Sequence, residues 1–289
     1  MYIIFLPFGL INSKPYTVSY QYGYYMNKEN YRTPLEQEIF EIISNSELIS
    51  FEEIKDLFPE IKINSLKKAT ASLSSKGYLY RLTRGLYLVT PMKKLIIRDP
   101  FAIATQIYPS YIAFSSALRF YNLIEYEPFT IFLVTSVKSR QLEVGEYTFR
   151  YISLGDKAIG ATNINGKWIS VLEKTFFDCF YKPQYSGGFE VVTKALYETT
   201  HLKWDAFLKF VRKLGSSSLC QRIGYILELL KLETGYKVPK YLFSYLNSKT
   251  YTPARLLSSG PSHGIYSKKW KILDNVGRER ILGWWYNSR

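Results

Sequence analysis

Only two cysteines, Cys179 and Cys220, and two histidines, His201 and His263, occur in 289 residues. So small a stock excludes a disulfide framework, and no Cys-x-x-Cys spacing offers a metal or redox pair. Neither histidine has a second ligand at metal spacing, which argues against zinc chemistry and a Ser-His-Asp relay. Neither G-x-x-x-x-G-K-[ST] nor G-x-G-x-x-G appears, so nucleotide hydrolysis is not expected and no cofactor is implied. Long apolar runs are missing too. The opening MYIIFLPFGLI is apolar for eleven residues without a basic n-region or a small-residue cleavage site. No window reaches the roughly 18 apolar residues that a membrane helix needs, so a cytoplasmic chain with no membrane partner is expected.

One absence is local. Between Ile61 and Arg98 there are nine Lys or Arg and not one carboxylate. The segment before it, 33–60, has one basic and eight acidic side chains; 203–289 has sixteen and five, while 99–202 is balanced at nine and ten. The formal net charge of +14 is therefore concentrated in two basic regions, and such a surface attracts polyanions, nucleic acid before acidic membrane. With 47% hydrophobic and 17% aromatic residues, the chain has the means to build real cores, enough for two domains.

Residues 1–32 are Tyr-rich and alternate loosely (TVSYQYGYY), the pattern of a strand or hairpin arm. Thr33, Pro34 and Glu36 form a capping box with proline in the first turn, and Leu35, Ile39, Ile42 and Ile43 recur at helical spacing. Ser50 and Glu53 repeat the box before Phe51, Ile54, Leu57 and Phe58, and Pro59 ends that helix. A third helix is expected from Asn64 as its cap, with Leu66, Ala69, Thr70 and Leu73 inward and Gly77 past its end. Ser65, Lys67, Lys68, Ala71, Ser72 and Ser75 then face outward. Tyr78–Leu82 and Leu86–Val89 read as strands around Thr83-Arg84-Gly85, with Gly85 left-handed in a three-residue hairpin loop and Arg84 at its tip.

Three short helices and a basic hairpin are the order of a winged helix-turn-helix, whose third helix enters the major groove of double-stranded DNA. The expected contacts are Asn64, Ser65, Lys67, Lys68 and Ser72 from the helix, Arg81 and Arg84 from the wing, and Lys62 and Lys76 on phosphate. The acidic side chains of the first two helices should point away or fix orientation. Each feature alone has a plainer reading: a solvated lysine face, or an edge hairpin protected by charge.

Beyond residue 90 the pattern is α+β. Asp99-Pro100 opens a helix with Ile103, Ala104 and Ile107 inward, and a second helix is expected over 113–121. Strand-like runs at 130–136, 147–154 and 167–171 predict a small sheet. Helical patterns follow at 171–181, 189–200, 203–214, 218–232 and about 238–247. The expected organisation is an arm (1–32), a winged helix-turn-helix (33–90) and a larger mixed domain (91–289) with a small sheet and a helical C-terminal part.

The body also carries a resemblance. SSALRFYNLIE (115–125), VLEKTFFDCFYKP (171–183), GGFEVVTKAL (187–196), QRIGYILELL (221–230) and GPSHGIYSKKWKILDN (260–275) resemble, in order, motifs of the AbiEi-type abortive-infection antitoxin family. That resemblance spans residues 33–275. It implies a cytoplasmic repressor of its own operon and an antitoxin against a cognate nucleotidyltransferase-type toxin, without requiring a stable toxin complex. A homodimer on operator DNA fits the same picture. By position, Ser115, Ser116, Ala117, Leu118, Glu173, Lys174, Thr175, Asp178, Arg222 and Tyr225 fall on family motifs, and the Tyr-rich arm departs from the pattern. Read from their chemistry, Glu173, Lys174 and Asp178 are expected as buried or half-buried polar anchors of their helix, and Arg222 and Tyr225, one turn apart, as supporting packing or an acidic partner surface rather than chemistry. The tail, with Lys268, Lys269, Lys271, Arg278 and Arg280 among Trp270, Trp284 and Trp285, reads equally as a second nucleic-acid surface or a solvated face over core tryptophans. Two alternatives remain: an orphan regulator without a toxin, or a nucleic-acid-processing enzyme using Glu53-Ile54-Lys55 or Glu60-Ile61-Lys62.

Overall fold

The computed structural model describes residues 31–126 and 129–287. Apart from its last two residues, the Tyr-rich arm expected over 1–32 lies outside the described residues. The architecture is mixed α+β.

Both capping boxes form. In α1 (Pro34–Ile43) the Thr33 hydroxyl accepts from the Glu36 N–H while the Glu36 carboxylate accepts from the Thr33 N–H. After the short strand β1 (Leu48–Ser50), which the sequence did not announce, Ser50 and Glu53 close the same ring on α2 (Phe51–Leu57). The buried stripe of α1 is Glu36, Ile39 and Ile43; Ile42, expected inward, is 48% exposed. At about 100° per residue Ile42 falls beside that stripe rather than in it. Leu57 is likewise exposed, whereas Ile54 and Phe58 are buried.

α3 (Ile63–Ser75) buries Leu66, Ala69, Thr70 and Leu73, the stripe read from the sequence. Its cap differs. Lys62 is the N-cap and makes no side-chain cap bond, so Asn64 lies inside the first turn and is no cap. β2 (Leu79–Thr83) and β3 (Leu86–Val89) form the hairpin, with Gly85 left-handed at φ 76°. Thr83 pairs directly with Leu86, so Arg84-Gly85 alone makes the turn, tighter than expected, and the register shifts between Arg81 and Thr83. β1 pairs antiparallel with β3, giving the order β1-β3-β2.

The hairpin is sandwiched. Strand alternation sends Leu79, Val89 and Tyr87 toward the three helices, and Leu82, Leu88 and Leu86 into the core of the larger body with Ile103, Phe149 and Tyr151. The boundary expected at residue 90 is therefore crossed by a shared apolar core. Glu47 adds a polar tie by accepting from the N–H of Arg98 at 2.6 Å.

The body begins with α4 (Pro100–Ile107), capped by Asp99, then β4 (Tyr111–Ile112) and α5 (Phe114–Phe120). β5 (Thr130–Thr135), β6 (Arg140–Val144), β7 (Tyr147–Ser153), β8 (Ala161–Ile164) and β9 (Lys167–Ser170) complete a six-stranded mixed sheet ordered β6-β7-β5-β4-β9-β8. Of these, β5, β7 and β9 match expected strands; β4, β6 and β8 are too short or too polar for their pattern to show.

A helical half follows: α6 (Leu172–Tyr181), α7 (Gly188–Glu198), α8 (Trp204–Leu214), α9 (Ser217–Thr234) and α10 (Lys240–Ser248). α6 packs against α5, α7, α8 and α9 and so joins the sheet to the helices. A three-stranded sheet of β10 (Ala254–Arg255), β11 (Ile265–Ser267) and β12 (Ile272–Asp274), ordered β10-β12-β11, precedes the short helices α11 (Arg278–Ile281) and α12 (Gly283–Tyr286). Trp270 is fully buried against Gly224 of α9, where an added Cβ would lie 2.1 Å from the indole.

Candidate nucleic-acid interface

Helical geometry divides the lysine pair. Ile63, Lys67 and Thr70 follow one another at i, i+4 and i+7 and look toward the hairpin, whereas Asn64, Lys68, Ala71 and Ser75 line the next stripe, facing solvent. Lys62, Asn64, Ser65, Lys67 and Lys68 are all exposed; Ser72 is half-buried. From the hairpin, the cross-strand pair Arg81 and Tyr87 and the turn residues Arg84 and Gly85 face the same space. The result is a groove of about 700 Å³ between α3, the start of α2 and the hairpin, lined by Lys67, Arg81 and Arg84. The Phe51 N–H donates to the Gly85 carbonyl at 2.7 Å and fixes the hairpin tip against α2. Arg81 is preset by its Nε, which donates to the Thr83 carbonyl at 3.3 Å.

Two features depart from the sequence reading. Lys76 is not presented to phosphate: its Nζ lies 2.5 Å from the buried Glu36 carboxylate. Burial alone would raise the Glu36 carboxyl, but hydrogen bonds from Lys76, the Ser72 hydroxyl and the Thr33 N–H outweigh it and hold the group below its usual range. Glu52 does not point away; it lines the groove and pairs there with Lys55. Lys68 is exposed but does not line the groove. Sequence reasoning also missed Ile63 and Tyr87 as groove residues. The hairpin register places Tyr87 beside Arg81, and the i, i+4 spacing places Ile63 beside Lys67.

The motif residues of the body sit in a different environment. Lys174 and Asp178 on α6 are both fully buried and paired at 2.5 Å, and Lys174 also donates to the Tyr111 hydroxyl at 3.1 Å. Burial pushes Asp178 up to about 6 in spite of Lys174, and lowers Lys174. Thr175 shares a 2.7 Å hydrogen bond with Ser170, and Glu173 accepts from the Lys203 N–H at 3.0 Å, at the start of α8. The Ser116 hydroxyl accepts from the Phe132 N–H at 2.8 Å, and Ser115 is buried beside it. Arg222 donates from Nε to the Leu256 carbonyl at 2.9 Å and from Nη1 to the Phe180 carbonyl at 3.0 Å. Tyr225 donates to Asp274 at 2.7 Å. These side chains are polar anchors within and between elements, with Arg222 and Tyr225 only half-buried.

In the tail, Lys269 pairs with Glu228 and Arg278 with Glu233 at 3.6 Å, while Trp270, Trp284 and Trp285 pack on the helical core. Lys268, Lys271 and Arg280 remain exposed beside them. Both cysteines are free and buried, their thiols pushed by burial up to about 12 at Cys179 and about 11 at Cys220. Among the described residues no cluster of three His, Cys, Asp or Glu is placed to hold a metal. Nor is any helix among them long and apolar enough to cross a membrane.

No protein family model matches this sequence, and no curated protein does. Among solved structures the fold is similar to that of the RV2827C protein from Mycobacterium tuberculosis, at a TM-score of 0.60 and 14% identity, over 84% of this chain and 92% of that one. At that identity the likeness is one of fold alone.

Proposed function

We propose that this chain is a DNA-binding autorepressor and antitoxin of an abortive-infection toxin-antitoxin system, acting in the cytoplasm. In this reading α1, α2, α3 and the β1–β3 sheet form a winged helix-turn-helix. α3 enters the major groove with Asn64, Ser65 and Lys68, and Arg84 meets backbone or minor groove from the wing. The observation that carries it is the convergence of Lys67, Arg81 and Arg84, from a helix and a hairpin, on one open groove. Cations held together without a full set of counter-charges are what a phosphate backbone binds. Residues 91–289 act in this reading as the antitoxin part, on the strength of the motif resemblance, against a nucleotidyltransferase-type toxin. Of the two Glu-x-Lys stretches of the enzyme reading, the first has its Glu53 engaged in the α2 capping box.

The test is the salt dependence of binding to the chain's own upstream DNA, read by fluorescence anisotropy. With about four cations neutralising phosphates, log K should fall against log[salt] with a slope of roughly −3.6. Lys67→Ala with Arg84→Ala should flatten it by roughly 1.8; an unchanged slope would remove these residues from the interface. For the antitoxin half, the full chain co-expressed with the product of the adjacent gene should restore growth. Persisting toxicity would leave a regulator without a toxin.

A further inference from the structure

A second cavity, of about 410 Å³, opens in the body where α7, α9, the loop after β10 and α11 meet. Its size lies in the range of small-molecule sites, about 300 to 1,000 Å³. Three cations line it, Lys182, Arg222 and Arg280, with the hydroxyls of Ser258 and Ser259, and no carboxylate does.

Arg222 is the fixed member. Its hydrogen-bond partners are all neutral carbonyls, so its charge is uncompensated by any ion pair among the described residues. Burial lowers its pKa, the expected response of a guanidinium taken from water without an anion beside it. The first turn of α7 also faces this space. Gly187 caps that helix with no side chain, and Gly188, at φ 84°, lines the cavity. A Cβ at Gly187 would come within 2.7 Å of Val191, so the uncapped, left-handed entry is built in. Free first-turn N–H groups beside guanidinium and hydroxyl donors make a coherent oxyanion cradle. Apart from Gln184, the remaining wall is mainly apolar, with Tyr181, Leu257 and Val276.

We propose that this cavity binds a phosphate ester of mononucleotide size, with its phosphate on Arg222, Arg280 and Lys182 and its organic body against Tyr181, Leu257 and Val276. The ligand is distinct from operator DNA and does not depend on the groove at α3.

Calorimetry on the full chain tests it, with inorganic phosphate and AMP as probes. Both should bind saturably, AMP more tightly. Lys182→Ala and Arg280→Ala, two exposed or half-exposed side chains whose loss leaves the fold intact, should each weaken AMP by about tenfold. Lys268→Ala, on the same basic tail outside the cavity, should change nothing. Circular dichroism verifies that each variant is folded. No saturable binding of either probe would overturn the proposal, as would AMP binding indifferent to both substitutions. Equal affinity for phosphate and AMP would overturn the ester body while keeping the phosphate cradle. Competition by a 5′-phosphorylated duplex that survives Lys67→Ala with Arg84→Ala, yet fails in Arg280→Ala, would assign the cavity to a nucleic-acid end and overturn the small-molecule site.

Discussion

Lysines on two helices of this chain meet opposite fates. On α3, Lys67 and Lys68 stand in solvent with no carboxylate from their own segment beside them; on α6, Lys174 is fully buried and neutralised by Asp178 one turn on. The same contrast separates the two regions. In the helix trio and hairpin the charges that matter are left open and brought together by topology. On α6 of the body the motif charges are consumed internally, Lys174 by Asp178 and Glu173 by the Lys203 N–H. An open cation costs the fold little and is available to an external partner, whereas a buried pair repays its desolvation only while both members remain.

The largest expected effect breaks the buried side of this comparison. Lys174→Met leaves Asp178 sealed without its partner and should cost about 3–5 kcal/mol in urea unfolding. Lys174→Met combined with Asp178→Leu removes both charges and should recover a large part of that loss. A double variant as unstable as the single one would mean that the pair is not coupled as its 2.5 Å separation implies.

On the open side the expectation reverses. Lys67→Ala with Arg84→Ala should leave stability within about 0.5 kcal/mol while flattening the salt slope of DNA binding by roughly 1.8. Lys76, at the C-cap of α3, belongs with the paired class. Glu36→Gln should therefore cost about 1–2 kcal/mol at neutral pH. Because the folded Glu36 carboxyl sits below its ordinary value of 4.5, its contribution is present above that pH and is lost as pH falls through the folded value. The gap between wild type and Glu36→Gln should accordingly stay constant near neutrality and close in acid. A gap that widens in acid would contradict the Lys76 pairing.

Local rules made the first region legible. Both capping boxes, the inward stripe of α3 and the left-handed Gly85 follow from neighbours within a few residues. What escaped depends on partners far along the chain. Nothing near Lys76 in the sequence marks it as the partner of Glu36, forty residues earlier. The separation of Lys67 from Lys68 needed the position of the hairpin, not only the helical period. In the body, β4 and β8 are two and four residues long and become strands through pairing with β5 and β9, too short for alternation to reveal. The second cavity was invisible for the same reason, since Lys182, Arg222 and Arg280 are gathered from three distant segments.

The smallest effect asks whether the open groove is rigid. Ser50 ends β1, pairs with Leu86 beside the hairpin turn and caps α2, whose first N–H, from Phe51, holds the Gly85 carbonyl. Ser50→Ala removes the cap and should cost about 1 kcal/mol in stability. No cation is touched, so the salt slope should stay at its wild-type value. Any fall in affinity must then come from a looser hairpin tip carrying Arg84, and would be the same at every salt concentration. A slope that changed with Ser50→Ala would mean that the cap itself sets how many cations reach the duplex, and that the groove is assembled on binding rather than preformed.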